Sequence, residues 1–163
     1  MSQTVKTTRS DFLNELGVVV PEVTEVSILG FFGPYRFLSN FHPATVELDG
    51  LVFGSSEAAY MSLKTVDPEQ KRHLTTLTAA EAKKYGTTVV TLIPDWENLR
   101  DEAMERVVYA KFSQNEAIKR LLKETDPKHL EETNWWGDIY WGVCGGIGQN
   151  KLGRTLMRVR GYV

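Results

Sequence analysis

The stretch Val46-Glu47-Leu48-Asp49-Gly50-Leu51-Val52-Phe53-Gly54-Ser55-Ser56-Glu57-Ala58-Ala59-Tyr60-Met61-Ser62-Leu63-Lys64 joins two periodicities end to end. Alternating runs flank Asp49-Gly50, a pair suited to a type I′ turn because both central residues of that turn need positive φ. The pattern predicts a small antiparallel hairpin. Ser55 or Ser56 can then accept a backbone N–H as a helix cap, and Glu57 in the first turn suits the positive end of the helix dipole. At about 1.5 Å per residue, the seven residues from Glu57 to Lys64 span roughly 10.5 Å, or two turns of one helix face, with Tyr60 and Met61 between. If that face points inward, both charges lose water and their pKa values move. The bland alternative is a pair of solvated side chains, the commoner state of Glu and Lys, and the pair alone does not decide.

Upstream, Ser10 to Leu16 predicts a short helix ended before Pro21, and alternation from Val23 to Phe31 predicts a half-buried strand. Residues 1–25 read as an arm before a domain over 26–163. Downstream, Asp67-Pro68 opens a short helix, and Thr78-Ala79-Ala80-Glu81 is a capping box for a helix to about Tyr85. The β-branched run Thr87 to Ile93 predicts an extended segment. Asp95 is placed to cap a long helix with a core stripe of Trp96, Leu99, Ala103 and Val107. Further helices are predicted around Ile118, Leu121 and Leu122, and around Leu152, Leu156 and Val159. The expected class is α+β: one mostly helical domain with a small antiparallel β element in its N-terminal third.

With 163 residues, 42% hydrophobic and 25% charged, the chain can bury a substantial core. A net charge of -2 gives no global basic footprint, so any nucleic-acid contact must be local. The single cysteine, Cys144, excludes an internal disulfide framework and suits a reducing, cytoplasmic setting. It has no nearby histidine and is read as a buried, inert thiol. No apolar run approaches the roughly 20 residues of a membrane span, and Met1 to Asp11 lacks the apolar core of a signal peptide. His42, His73 and His129 are scattered without metal-ligand spacing, so no metal and no cofactor are expected.

Between Asn134 and Gly153 stand three of the four tryptophans, Trp135, Trp136 and Trp141, among glycines and Asp138. A glycine-rich loop feeding a helix can cradle an anion, or it can simply be a tight turn. The tryptophans can stack on a base or pack in the core. Lys151, Arg154 and Arg158 share a helical face that can meet phosphate or remain solvated.

Taken together these residues resemble the NADAR (YbiA-like) family of N-glycosidases. Phe37-Leu38-Ser39-Asn40-Phe41-His42-Pro43 is similar to its F-L-S-N-F-x-P signature, and Glu57, Tyr60 and Lys64 fit its S-x-E-x-x-[FY]-x-x-x-K pattern. Trp96, Arg100 and Met104 follow the W-x-x-x-R-x-x-x-M spacing, and Lys111-Phe112-Ser113-Gln114-Asn115 fits K-F-x-Q-N. Asp138-Ile139-Tyr140-Trp141-Gly142, Gly148-Gln149-Asn150-Lys151-Leu152-Gly153 and Leu156-Met157 complete the series. The family often has His-Tyr-Phe after the glutamate, Gln before the lysine and arginines before the tryptophan; here Ala58-Ala59-Tyr60, Leu63 and the arginine-free stretch from Thr87 to Ile93 stand in those places.

The resemblance implies hydrolysis of ribosyl N-glycosidic bonds, foremost release of ADP-ribose from ADP-ribosylated guanine in nucleic acid. It implies Lys64 as the Schiff-base nucleophile and Glu57 and Asp138 as acid and base. Substrate contacts would come from Asn40, Phe41, Tyr60, Trp96, Trp141, Gly142 and Asn150, with the tryptophans stacking and the asparagines bonding sugar hydroxyls or phosphate. The alternatives are a glycosidase of phosphoribosylamino-pyrimidine intermediates of riboflavin synthesis, and a non-catalytic binder of ADP-ribose-like nucleotides. No membrane partner is implied, and the oligomeric state stays open.

Overall fold

In a computed structural model describing residues 7–163, the elements run in chain order β1 (Glu22–Val23), β2 (Ser27–Leu29), β3 (Val46–Leu48), β4 (Leu51–Phe53), α1 (Ser56–Ser62), α2 (Pro68–Leu74), α3 (Ala79–Thr88), α4 (Trp96–Ser113), α5 (Glu116–Glu124), β5 (His129–Glu131), β6 (Thr133–Asn134), β7 (Val143–Cys144) and α6 (Lys151–Tyr162). Short 3₁₀ turns lie at Arg9–Phe12 and Gly33–Leu38. The class is the expected mixture of helices and small sheets. The chain forms two compact units, one built from the segments up to Ser39 and Glu124–Gly161, the other from Asn40–Lys123 with Tyr162–Val163.

In the central unit the hairpin forms as its turn residues require. Asp49 and Gly50 have φ of 51° and 80°, and Val46 pairs with Phe53 and Leu48 with Leu51. Val46, Leu48 and Phe53 face the core. The Gln114 side chain accepts the Glu47 N–H at 2.7 Å and donates to the Glu47 carbonyl at 2.9 Å, while Asn115 donates to the carbonyls of Thr45 and Lys111. Those amides fasten the end of α4 to the hairpin. Ser55 caps α1, its Oγ accepting the Ala58 N–H at 3.1 Å. Asp67 caps α2, and Thr78 and Glu81 close the capping box of α3. The Thr78 bonds hold the Glu81 carboxyl below its ordinary range.

Helix α3 meets α1 at Gly86, where an added Cβ would stand 2.1 Å from Met61 Sδ and 2.9 Å from Met61 Cβ. Only a residue without a side chain fits there.

Several expected elements differ. The 87–93 segment is not a strand: Thr87 and Thr88 continue α3, their hydroxyls donating to the Lys83 and Lys84 carbonyls, and the rest is irregular, with Thr91 held by Gln70. β-branched residues favour strands only where a partner edge exists. Asp95 precedes α4 with φ of 64° and no capping bond, its carboxylate instead accepting from the Asn98 side chain. Leu99 is 40% exposed; the buried stripe of α4 runs through Trp96, Ala103, Met104, Val107 and Val108. Leu121 is exposed while Leu122 is buried.

In the terminal unit, β1 pairs antiparallel with β2, and β2 pairs parallel with β5, bringing Ile28 opposite Leu130. A second parallel pair joins β6 and β7. Leu152, Leu156 and Val159 of α6 are buried as expected. The predicted helix from Ser10 shrinks to a 3₁₀ turn because Asn14 Oδ1 accepts the Leu16 and Val18 N–H groups and turns the chain back, a local side-chain alternative to helix. Cys144 lies half-buried in β7 rather than buried. No helix among the described residues is long and apolar enough to cross a membrane.

Asn150 is the clamp of this unit. Buried, with φ of 51°, it donates from Nδ2 to the Leu130 carbonyl at 2.9 Å and accepts the Glu132 N–H on Oδ1 at 3.0 Å, tying the start of α6 to β5 and its exit.

Two stability outcomes follow. Gly86→Ala forces α1 and α3 apart and should cost about 1–3 kcal/mol. Asn150→Ala leaves two backbone groups unpaired and should cost on the order of 3 kcal/mol. Both are read from denaturant unfolding midpoints, and unchanged midpoints would refute these packing assignments.

Candidate active site

The predicted site residues divide between the two units. In the central unit, buried Asn40 anchors the start of α1: its carbonyl accepts the Glu57 N–H at 3.2 Å, its Oδ1 accepts from Ser56 Oγ at 2.8 Å, and its Nδ2 reaches Met104 Sδ at 3.2 Å. Its amide is thus already engaged by α1 and α4. Glu57 follows in the first turn, only 8% exposed.

α1 ends at Ser62, so Lys64 lies in the turn after it and not on the helix face that the spacing predicts. Leu63 and Lys64 close that turn with N–H bonds to the Tyr60 and Met61 carbonyls, and the Lys64 carbonyl accepts the Ile93 N–H at 2.8 Å. The side chain is half-buried, with Nζ 5.8 Å from the Tyr60 ring centroid. Tyr60 is itself buried, its centroid 5.4 Å from that of Trp96 at 53°.

Burial lowers the Lys64 pKa; Glu57 opposes this by attraction, and the like charge of Lys83 lowers it further. Burial dominates, so the amine gives up its proton more readily than an exposed lysine. A more nucleophilic neutral amine near a buried carboxyl is a combination suited to attack at an electrophilic carbon with proton transfer to the departing group. Nothing in the sequence marks out Lys83, one of two adjacent lysines on α3. Its ammonium stands 5.7 Å from the ring centroid of Phe41, the residue after Asn40. Only the packing of α3 on α1, a long-range property, reveals it.

In the terminal unit Asp138 shapes the tryptophan-glycine loop. Its Oδ1 accepts the N–H groups of Tyr140 and Trp141 at 3.1 and 2.9 Å, while its backbone is held from both sides by the amide of buried Asn134. Trp141 is half-buried and meets Tyr140 edge-on at 4.9 Å. Gly142 passes so close to the chain after β5 that a Cβ would stand 2.2 Å from the Glu132 carbonyl oxygen. Trp135 packs against Phe12 and Phe32, centroids 5.1 and 5.4 Å away, whereas Trp136 remains 48% exposed. Lys151 Nζ lies 5.7 Å from the Tyr140 ring centroid, and Arg158 donates to Thr155.

Residues 29–162 match the NADAR domain. The chain is 28% identical over 147 residues to the N-glycosidase YbiA of Escherichia coli, covering 86% of this chain and 91% of that protein. It is 31% identical over 134 residues to an N-glycosidase of Nostoc punctiforme, covering 78% and 85%. It is 35% identical over 129 residues to a riboflavin biosynthesis protein of Vibrio vulnificus, covering 77% of this chain and 35% of that protein. The NMR structure of E. coli YbiA matches with a TM-score of 0.75 at 28% identity, over 86% of each chain. A glutamate-tyrosine-lysine cluster on a YbiA-like fold, within a match that spans most of the sequence, places this chain in the NADAR domain family.

Proposed function

We propose that this protein cleaves the bond between ribose and a base nitrogen, with ADP-ribosylated guanine in nucleic acid as its substrate and Lys64 as nucleophile. Its class, a hydrolase of N-glycosyl compounds, follows from family membership and from the N-glycosidases it matches. The observation supporting the lysine route is the half-buried amine of Lys64, its pKa lowered by burial, near buried Glu57.

In this route Lys64 Nζ attacks the ribose C1″ while Glu57 delivers a proton to the departing base nitrogen, so the C–N bond to the base breaks as the new one forms. Opening of the sugar ring gives an imine, and water cleaves it to release the sugar and restore the amine. As Glu57 gives up its proton its carboxylate emerges beside the positive charge developing at C1″, and stabilising that charge lowers the barrier. The Tyr60 ring, itself packed on Trp96, lies against the Lys64 amine and keeps it partly dry, and in its own unit Asp138 holds the Tyr140-Trp141 backbone. A second substrate, a phosphoribosylamino-pyrimidine intermediate of riboflavin synthesis, is favoured by the likeness to the Vibrio protein named for that pathway.

Borohydride added during turnover should fix the sugar on the wild-type protein. Lys64→Ala should abolish that adduct and lower turnover by on the order of 10³-fold or more, and Glu57→Gln should lower it by roughly 10²–10⁴-fold. An adduct that survives Lys64→Ala, read by mass spectrometry, overturns the assignment. Guanine-linked and pyrimidine-linked substrates offered side by side decide between the two substrates.

The pH dependence has a definite sign. Because the reactive form is the neutral amine and its pKa is lowered, adduct formation should rise with pH and level off below the range, near 10.4, where an ordinary lysine loses its proton. Glu57→Gln removes the attraction that favours the charged form, so it should shift the rise to still lower pH. A shift upward would contradict the electrostatics described.

A further inference from the structure

The ammonium of Lys83 is exposed over Phe41, and Phe41 follows the residue whose carbonyl accepts the Glu57 N–H. The same ammonium lies close enough to Lys64 to influence it. One turn further along α3, Gly86 lies against the Met61 side chain of α1, so α3 is packed directly on the helix that carries Glu57. Lys83 therefore stands at the rim of the cluster that holds Lys64 and Glu57, and it projects from a helix rather than a loop. No ion pair among the described residues takes up its charge.

We propose that Lys83 is a substrate-binding residue that holds the 5′-phosphoryl group of the ribosyl substrate, a proposal that rests on the Lys64 site described above. Both candidate substrates carry a phosphoryl group on the exocyclic C5 of the ribose whose C1 is attacked. An amine at the reacting carbon and a second cation at the rim suit the two ends of such a sugar. Lysine binds phosphate as a mobile point charge, and the Phe41 ring beneath steadies the ammonium without neutralising it. A phosphate bridging the rim would shield Lys64 from the like charge of Lys83 while the sugar is bound.

The test is direct binding of ribose 5-phosphate and of ribose, by calorimetric titration, to the wild-type protein and to Lys83→Ala, Lys83→Arg and Lys84→Ala. Lys84 neighbours Lys83 in sequence, so its variant carries the same loss of net charge. Lys83→Ala should weaken ribose 5-phosphate binding by about 10–100-fold, the worth of a charge-assisted hydrogen bond. Lys83→Arg and Lys84→Ala should stay within about 3-fold of wild type, as their site charge is kept, and ribose binding should be the same in all four. Equal losses in the two alanine variants, no loss in Lys83→Ala, or no preference of the wild type for the phosphorylated sugar overturns the proposal. Because the measurement needs no turnover, it stands apart from the Schiff-base test: a missing borohydride adduct with Lys83-dependent binding would sink the lysine route and leave the phosphate site in place.

Discussion

Every residue of α1, from Ser56 to Ser62, is buried, and the candidate chemistry depends on that confinement. A seven-residue helix is too short to persist alone in water, so its place is dictated by what surrounds it: Gly86 of α3 against Met61, the Asn40 backbone and amide at its first turn, and Tyr60 against Trp96 at its far end. Its hydroxyls are satisfied locally, with Ser55 capping, Ser56 on Asn40 and Ser62 on the Ala59 carbonyl. The one carboxyl group within the helix, that of Glu57, is then buried too. Lys64, in the turn beyond the helix end, is half-buried.

How much of this could be read from the residues depends on the range of the interaction involved. The hairpin at Asp49-Gly50, the Ser55 and Asp67 caps and the Thr78-Glu81 box are encoded within four residues and form as read. The Glu57 and Lys64 pair was legible as a pair, but the helix end between them was not: Leu63 and Lys64 turn off the helix, and the Lys64 carbonyl takes the N–H of Ile93 from far along the chain. The strand expected at 87–93 failed because β-branching states a preference without supplying a partner. The parallel pairing of β2 with β5 joins residues about a hundred positions apart, which no local pattern announces.

The family motifs turn out to mix framework with chemistry. Asn40, Gln114, Asn115 and Asn150 spend side-chain amides on backbone groups or on neighbouring side chains, and Gly142 is a point of close approach. Trp135 is packing, whereas Trp141 is only half-buried beside Tyr140. A recurring asparagine in such a motif is therefore weak evidence for a ligand contact until its hydrogen bonds are counted. Lys64 differs in that its burial, with Glu57 and Lys83 nearby, lowers its pKa.

The paired bonds between Gln114 and the two backbone groups of Glu47 have a bearing beyond holding α4 to the hairpin. A two-stranded ribbon leaves its outer N–H and C=O groups open to recruitment by a strand of another molecule. Gln114 mimics such a strand with one side-chain amide, donor and acceptor in the right order. The ribbon is thereby closed to intermolecular sheet growth at Glu47, and the chain gains protection from aggregation for the length of a single residue.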